Sequence, residues 1–204
     1  MPGASALGGD SDDDGGIACG LSFGGIWAFL CVVLIHDGMK DLTSSNPQKV
    51  KAALKRAKKN GDATWILPLL EAFASRSDDG LKEEMGALLS TLKLSVAEDI
   101  FLETLARQEM KHIHADVLGF LWSCGFTCEG RLARVVEAAC EGDFRQAMEG
   151  TTLVEQVETA THERDVLEAQ VITSEALQDG SKEGIRPFVQ AMAQHLAMLS
   201  DSVM

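Results

Sequence analysis

Apolar residues recur along most of this chain at helical spacing. Leu81, Met85, Leu88, Leu89 and Leu92 follow i, i+4, i+7, i+8 and i+11, and Ile113, Val117, Phe120, Leu121 and Cys124 repeat that spacing further along. Val50, Ala53, Leu54 and Ala57 echo it earlier in weaker form. Residues so spaced share one face of an α-helix, and that face must be covered by neighbours. Between the stripes lie LPLLEAF (67–73), DIFLETL (99–105) and ARVVEAA (133–139), each with two adjacent apolar residues followed by glutamate. Those glutamates, Glu71, Glu103 and Glu137, recur at nearly equal steps, so the chain carries an internal repeat.

Turn signals fall between the stripes. Asn46 is placed to cap a helix that begins at Pro47, and Gly61 is placed to stop it. RSDDG (76–80), LKLS (92–95), CGF (124–126) and EGD (141–143) separate the later elements, with Asp143 as the next cap. Pro68 lies near a helix start, where a missing N–H is tolerated. The pattern predicts helices at 47–60, 64–75, 79–92, 95–107, 111–124, 129–141, 143–156, 162–178 and 183–199. Loops of two to five residues make neighbours antiparallel, and helix pairs with a period in the low thirties stack into an α-solenoid. FRQAMEGTTLVEQ has the poorest stripe, with Thr151 and Thr152 where apolar residues would fit.

The combination SSNPQKVKAAL, GDATWILPLLEAF, KEEMGALLSTL and DVLGFLWSCGF resembles the small HEAT-repeat proteins of the type found in Bacteroidetes genomes. The resemblance covers roughly 39–157 and continues more weakly to 199. It implies an all-α, right-handed α-solenoid of antiparallel helix pairs over 39–204, working as a protein-binding scaffold without catalytic residues. It carries over no functional residue, because the shared positions are core and turn positions.

The segment ahead of Met39 has a different character. Residues 1–16 read as a disordered acidic and Gly-rich tail. Ile17 to Ile35 is uncharged throughout and close to the length that spans a bilayer. The segment 17–38 reads three ways: as a membrane anchor held by 17–35 with the body in the cytoplasm, as an extension ahead of Met39, or as a first helix of the stack. It does not read as a secretory signal, because DSDDD stands where a basic region is needed.

Charge changes the picture of partners. The chain has 31 Asp and Glu against 18 Lys and Arg. That balance argues against nucleic acid, whose affinity comes from neutralised phosphates, and against the HEAT-like DNA glycosylases, which need a basic face. The charges are also segregated. Lys49, Lys51, Lys55, Arg56, Lys58 and Lys59 fall together without an acid, whereas acids dominate from Glu141 onward. The five cysteines have no framework spacing, so reduced thiols and a cytoplasmic body are expected.

Candidate chemistry is thin. His112, His114, Cys124, Cys128 and Cys140 are the residue types of a zinc site. Yet His112 and His114 point opposite ways on a regular helix, and Cys124 fits the core stripe. No phosphate loop, nucleophile elbow or His–carboxylate pair at metal spacing appears, so no enzyme and no cofactor is expected. Trp65, at a helix start, is a candidate anchor, while Trp122, beside Leu121, is expected in the core. The leading expectation is a scaffold that binds a protein or peptide segment along the second helix of each pair. Its contacts would include Lys51, Lys55, Lys82, Glu83, Lys111, His114, Arg145 and Glu149, with charge orienting the partner. A membrane-anchored adaptor and an enzyme with an unrecognised site are the other two readings.

Overall fold

In the computed structural model the residues described are 39–159 and 162–203. The expected tail at 1–16 and the apolar segment at 17–38, with its three readings, lie outside them. The described residues are helical, with no strand among them. We number the α-helices α1 Pro47–Asn60, α2 Ile66–Ser75, α3 Asp79–Leu89, α4 Ser95–Thr104, α5 His114–Cys124, α6 Leu132–Glu141, α7 Phe144–Glu155, α8 Glu163–Gln178 and α9 Arg186–Val203. Short 3-10 turns at Asp41–Thr43, Ala63–Trp65, Gln108–Ile113 and Gly180–Ile185 lead into or between them.

The caps act as the sequence suggests. Asn46 accepts from the Gln48 N–H at 2.9 Å, and Asp78 and Asp143 do the same for Leu81 and Gln146 at 2.9 Å. Gly125 takes the left-handed conformation, φ 75°, that ends α5 and lets the Phe126 N–H reach back to the Leu121 carbonyl. Four starts come two or three residues later than the stripes predict, α2 among them, after the 3-10 turn at Ala63–Trp65. α6 begins at Leu132 because Cys128 and Gly130 both hold positive φ, 52° and 72°. α5 and α9 are preceded by the 3-10 turns at Gln108–Ile113 and Gly180–Ile185.

The helices pair as hairpins, α2 with α3, α4 with α5, α6 with α7 and α8 with α9. Contacts also skip one helix, joining α1 to α3, α3 to α5, α5 to α7 and α7 to α9, and likewise α2 to α4 and α6 to α8. The core stripes face inward: Leu81, Met85, Leu89, Ile113, Val117 and Leu121 are buried. Phe120 links two hairpins by edge contact with Phe73 at 5.4 Å and a tilted contact with Phe101 at 5.9 Å. The weak stripe of α7 is close packing by small residues. Gly150 lies so near α6 that a Cβ there would collide with the Cβ of Ala139. Thr151 is buried, with its hydroxyl donating to the Ala147 carbonyl at 2.8 Å.

Polar contacts join residues 30 to 42 positions apart in sequence, and many satisfy helix ends. Lys93 donates to the Cys124 carbonyl at the end of α5, and Lys182 to the Cys140 carbonyl near the end of α6, both at 2.7 Å. Asp165 of α8 accepts from the Leu132 and Ala133 N–H groups at the start of α6, at 2.6 and 3.0 Å. Glu98 of α4 accepts from the Cys128 N–H at 2.7 Å, and Arg76 donates to the Leu42 and Ser44 carbonyls. The separations made by Arg76 and Asp165, 32 to 34 residues, match the steps between Glu71, Glu103 and Glu137, and that made by Glu98 is 30.

Candidate functional site

The residues expected to touch a partner lie mainly on α1, α3, α5 and α7, the helices that contact one another by skipping one. The structure sorts them into three groups. Lys55 of α1, Glu83 of α3 and Lys111, ahead of α5, are exposed and make no ion pair among the described residues. Four others are engaged within the chain. Lys51 pairs with Glu84 of α3 at 3.4 Å, and Arg145 of α7 with Asp116 of α5 at 2.6 Å. The Lys82 ammonium lies 4.8 Å from the centre of the Phe73 ring. Glu149 of α7 accepts from the Trp122 indole N–H of α5 at 2.7 Å. These contacts tie α1 to α3, α2 to α3 and α5 to α7. With its cation exposed to solvent, each ion pair contributes at most about 1 kcal/mol.

Two expectations are corrected. His114 is not a surface contact but is buried, 4% exposed. Its Nε2–H donates to the Thr104 and Arg107 carbonyls, both at 3.2 Å, and so closes the C-terminal end of α4. Burial holds its pKa below the usual histidine value, against the pull of those two carbonyls, so the ring is neutral. Trp65 is also buried, because the 3-10 turn capped by Asp62 folds it inward, against the start of α2. Trp122 errs in the other direction. It is 36% exposed, standing over Glu149 instead of in the core.

Sequence spacing missed an apolar cluster on α7. Phe144 is 61% exposed and Met148, one turn on, is 40% exposed. Phe144 meets Phe188 of α9 edge-on at 4.9 Å. With Trp122 these residues put exposed aromatic and Met side chains on α5 and α7, whereas the unpaired cations Lys55 and Lys111 lie on α1 and ahead of α5. Spacing gave no signal: Phe144 falls in register with the buried Ala147, Thr151 and Val154, at i, i+3, i+7 and i+10, so periodicity alone does not mark it as exposed.

A cleft of about 300 Å³ lies elsewhere, between the Thr127–Gly130 turn, Gln156–Thr159 and the start of α8. Cys128, His162 and Asp165 all line it. Those are the residue types of a thiol nucleophile and its base, but their states do not suit that chemistry. Burial, reinforced by the Glu98 charge, pushes the Cys128 thiol up to about 12. The Asp165 carboxylate is committed to the N–H groups of α6. Cys140, pushed up to about 11, and Cys124, also raised, are likewise buried thiols. Cys124 donates to the Leu89 carbonyl at 3.2 Å. Among the described residues no group of three or more His, Cys, Asp or Glu side chains gathers around a metal position. No helix among them is long and apolar enough to cross a membrane.

No family model and no solved structure matches the chain. A segment of 96 residues is 27% identical to a protein of Synechococcus sp. (strain CC9605) described as a probable cytosol aminopeptidase. That segment is 46% of this chain and 19% of the other protein, so the likeness reaches less than a fifth of the relative's length.

Proposed function

We propose that residues 39–204 form a HEAT-like, right-handed α-solenoid that serves as a non-catalytic, protein-binding scaffold in the cytoplasm. The helix hairpins that meet by skipping one helix support this reading, as do the capping contacts made about one repeat apart. The partner is a protein or peptide segment lying across α1, α3, α5, α7 and α9. The observation that carries the proposal is the exposure of Phe144 and Met148 on α7 and of Trp122 on α5, two helices in contact. Aromatic and Met side chains anchor interfaces, and here they share a row of helices with exposed Lys55 and Lys111. Apolar contact at α7 supplies affinity, and the basic end at α1 sets the direction of the segment. Buried, unpaired thiols at Cys124, Cys128 and Cys140 suit a reducing compartment.

The test compares full-length protein with two variants, Phe144→Ser/Met148→Ser and Lys51→Glu/Lys55→Glu, in quantitative capture from native cells. The same partners should be lost from the first variant and weakened in the second. Equal recovery with all three proteins would defeat the proposal. A thermal-shift screen with divalent metals and nucleotides probes the enzyme alternative, and a strong stabilisation by one of them would favour it.

A further inference from the structure

Two exposed helix faces near opposite ends of the described chain have complementary chemistry. On α1, Lys49, Lys51, Lys55, Arg56, Lys58 and Lys59 are all exposed, and the helix contains no acid. Lys51 and Arg56 are paired with Glu84 and Asp41, while Lys49, Lys55, Lys58 and Lys59 have no ion pair among the described residues. Exposed Ala52 sits among these cations, one turn from Lys55 and Arg56. On α8 the arrangement is inverted. Leu167 and Val171, one turn apart, are 47% and 57% exposed. Glu163, Glu168 and Glu175 flank them, exposed and without ion pairs among the described residues, and Arg164 is the helix's single cation.

We propose that the α1 face of one molecule docks on the α8 face of a second copy of this chain. Leu167 and Val171 cover the small Ala52, and the flanking glutamates meet the lysines. Like faces repel, so α1 on α1 and α8 on α8 are disfavoured, and the contact is head-to-tail. Such a contact leaves one α1 face and one α8 face free, so assembly continues into a ring or an open chain. Two single-helix faces bury less than the roughly 1,200 Å² of a standard stable interface, so the association is weak, reversible and dependent on concentration.

The test is sedimentation velocity of the full-length protein over a wide concentration range. It is run at low ionic strength and again at ~1 M salt, where the screening length falls to about 3 Å. The weight-average mass should at least double with concentration at low salt and return to that of one chain at high salt. Lys55→Glu/Lys59→Glu and Glu168→Lys/Glu175→Lys should each remain single chains, and an equimolar mixture of the two should associate again. Leu167→Ser/Val171→Ser should also stay a single chain. All these side chains are exposed, and unchanged circular dichroism would show that the variants fold. A single-chain mass for the wild type at every concentration would overturn the proposal. So would association that survives either charge reversal, or a mixture that fails to associate. Association lost only in Phe144→Ser/Met148→Ser would assign self-contact to α7 and overturn it equally.

Discussion

Replacing Asp165 by alanine tests whether one helix hairpin closes the helix ends of another. The Asp165 carboxylate, on α8, accepts from both the Leu132 and Ala133 N–H groups, about one repeat away in sequence. Arg131, at the cap position of α6, supplies no side-chain cap of its own. Alanine would leave two part-buried N–H groups at the positive end of a helix dipole. A lost cap costs about 0.5–2 kcal/mol, and a buried donor left unmade costs about 1–3 kcal/mol. Water entering the adjoining cleft recovers part of this, so about 2 kcal/mol is expected for Asp165→Ala. In a chain of this size each ~1 kcal/mol lowers the melting temperature by roughly 2–4 °C, so the fall is about 4–8 °C. Asp165→Asn keeps one acceptor oxygen and should lose about half as much. Glu158→Gln, exposed on the same cleft, should stay within about 0.5 kcal/mol. Urea unfolding followed by circular dichroism measures all three. If Asp165→Ala stayed within that same margin the reasoning would be refuted, because the two hydrogen bonds would then contribute nothing between the two hairpins.

Three further outcomes follow from the packing and the titrating groups. Gly150→Ala should destabilise by about 1–3 kcal/mol in urea unfolding, because the new Cβ meets Ala139. Helix propensity alone would instead give a gain of about 1 kcal/mol. His114 has a folded pKa below its unfolded value, so its contribution is present above the unfolded pKa, near 6.5. It is lost as pH falls through the window from there down to the folded value. His114→Gln should therefore make stability fall less steeply between about pH 7 and pH 5 than in the wild type, and an unchanged slope would contradict a buried neutral ring. Alkylation of native protein near pH 8, mapped by peptide mass, should leave Cys124, Cys128 and Cys140 unmodified until denaturant is added. Fast labelling of Cys128 would show a reactive thiolate that its burial does not permit.

Helix positions were largely legible because period and punctuation agreed. The stripe from Leu81 to Leu92 is buried at Leu81, Met85 and Leu89 as its spacing requires, and Asn46, Asp78 and Asp143 cap the helices that follow them. The starts of α5 and α6 were not legible. They depend on a histidine ring reaching back to α4 and on left-handed turns at Cys128 and Gly130, both set by tertiary contact. The candidate surface was read less well, for a related reason. Polar side chains in the sequence look free until a neighbouring helix is placed beside them. His114, Lys51, Arg145 and Glu149 all found partners on or beside other helices. Trp65 and Trp122 exchanged expected environments. Adjacent residues on a helix point in well-separated directions, so Leu121 faces the core and Trp122 does not. Asp165 and Gly150 look ordinary in the sequence, since their importance lies wholly in what another helix brings against them.

The central claim is that the helices carrying Phe144 and Trp122 receive a protein segment. A photo-reactive amino acid at position 144 of the full-length protein, compared with one at exposed Glu71 on α2, tests it most directly in native cells. The account predicts discrete covalent adducts to the same protein from position 144 and none from position 71. No adduct at 144, or the same adducts from both positions, would contradict it.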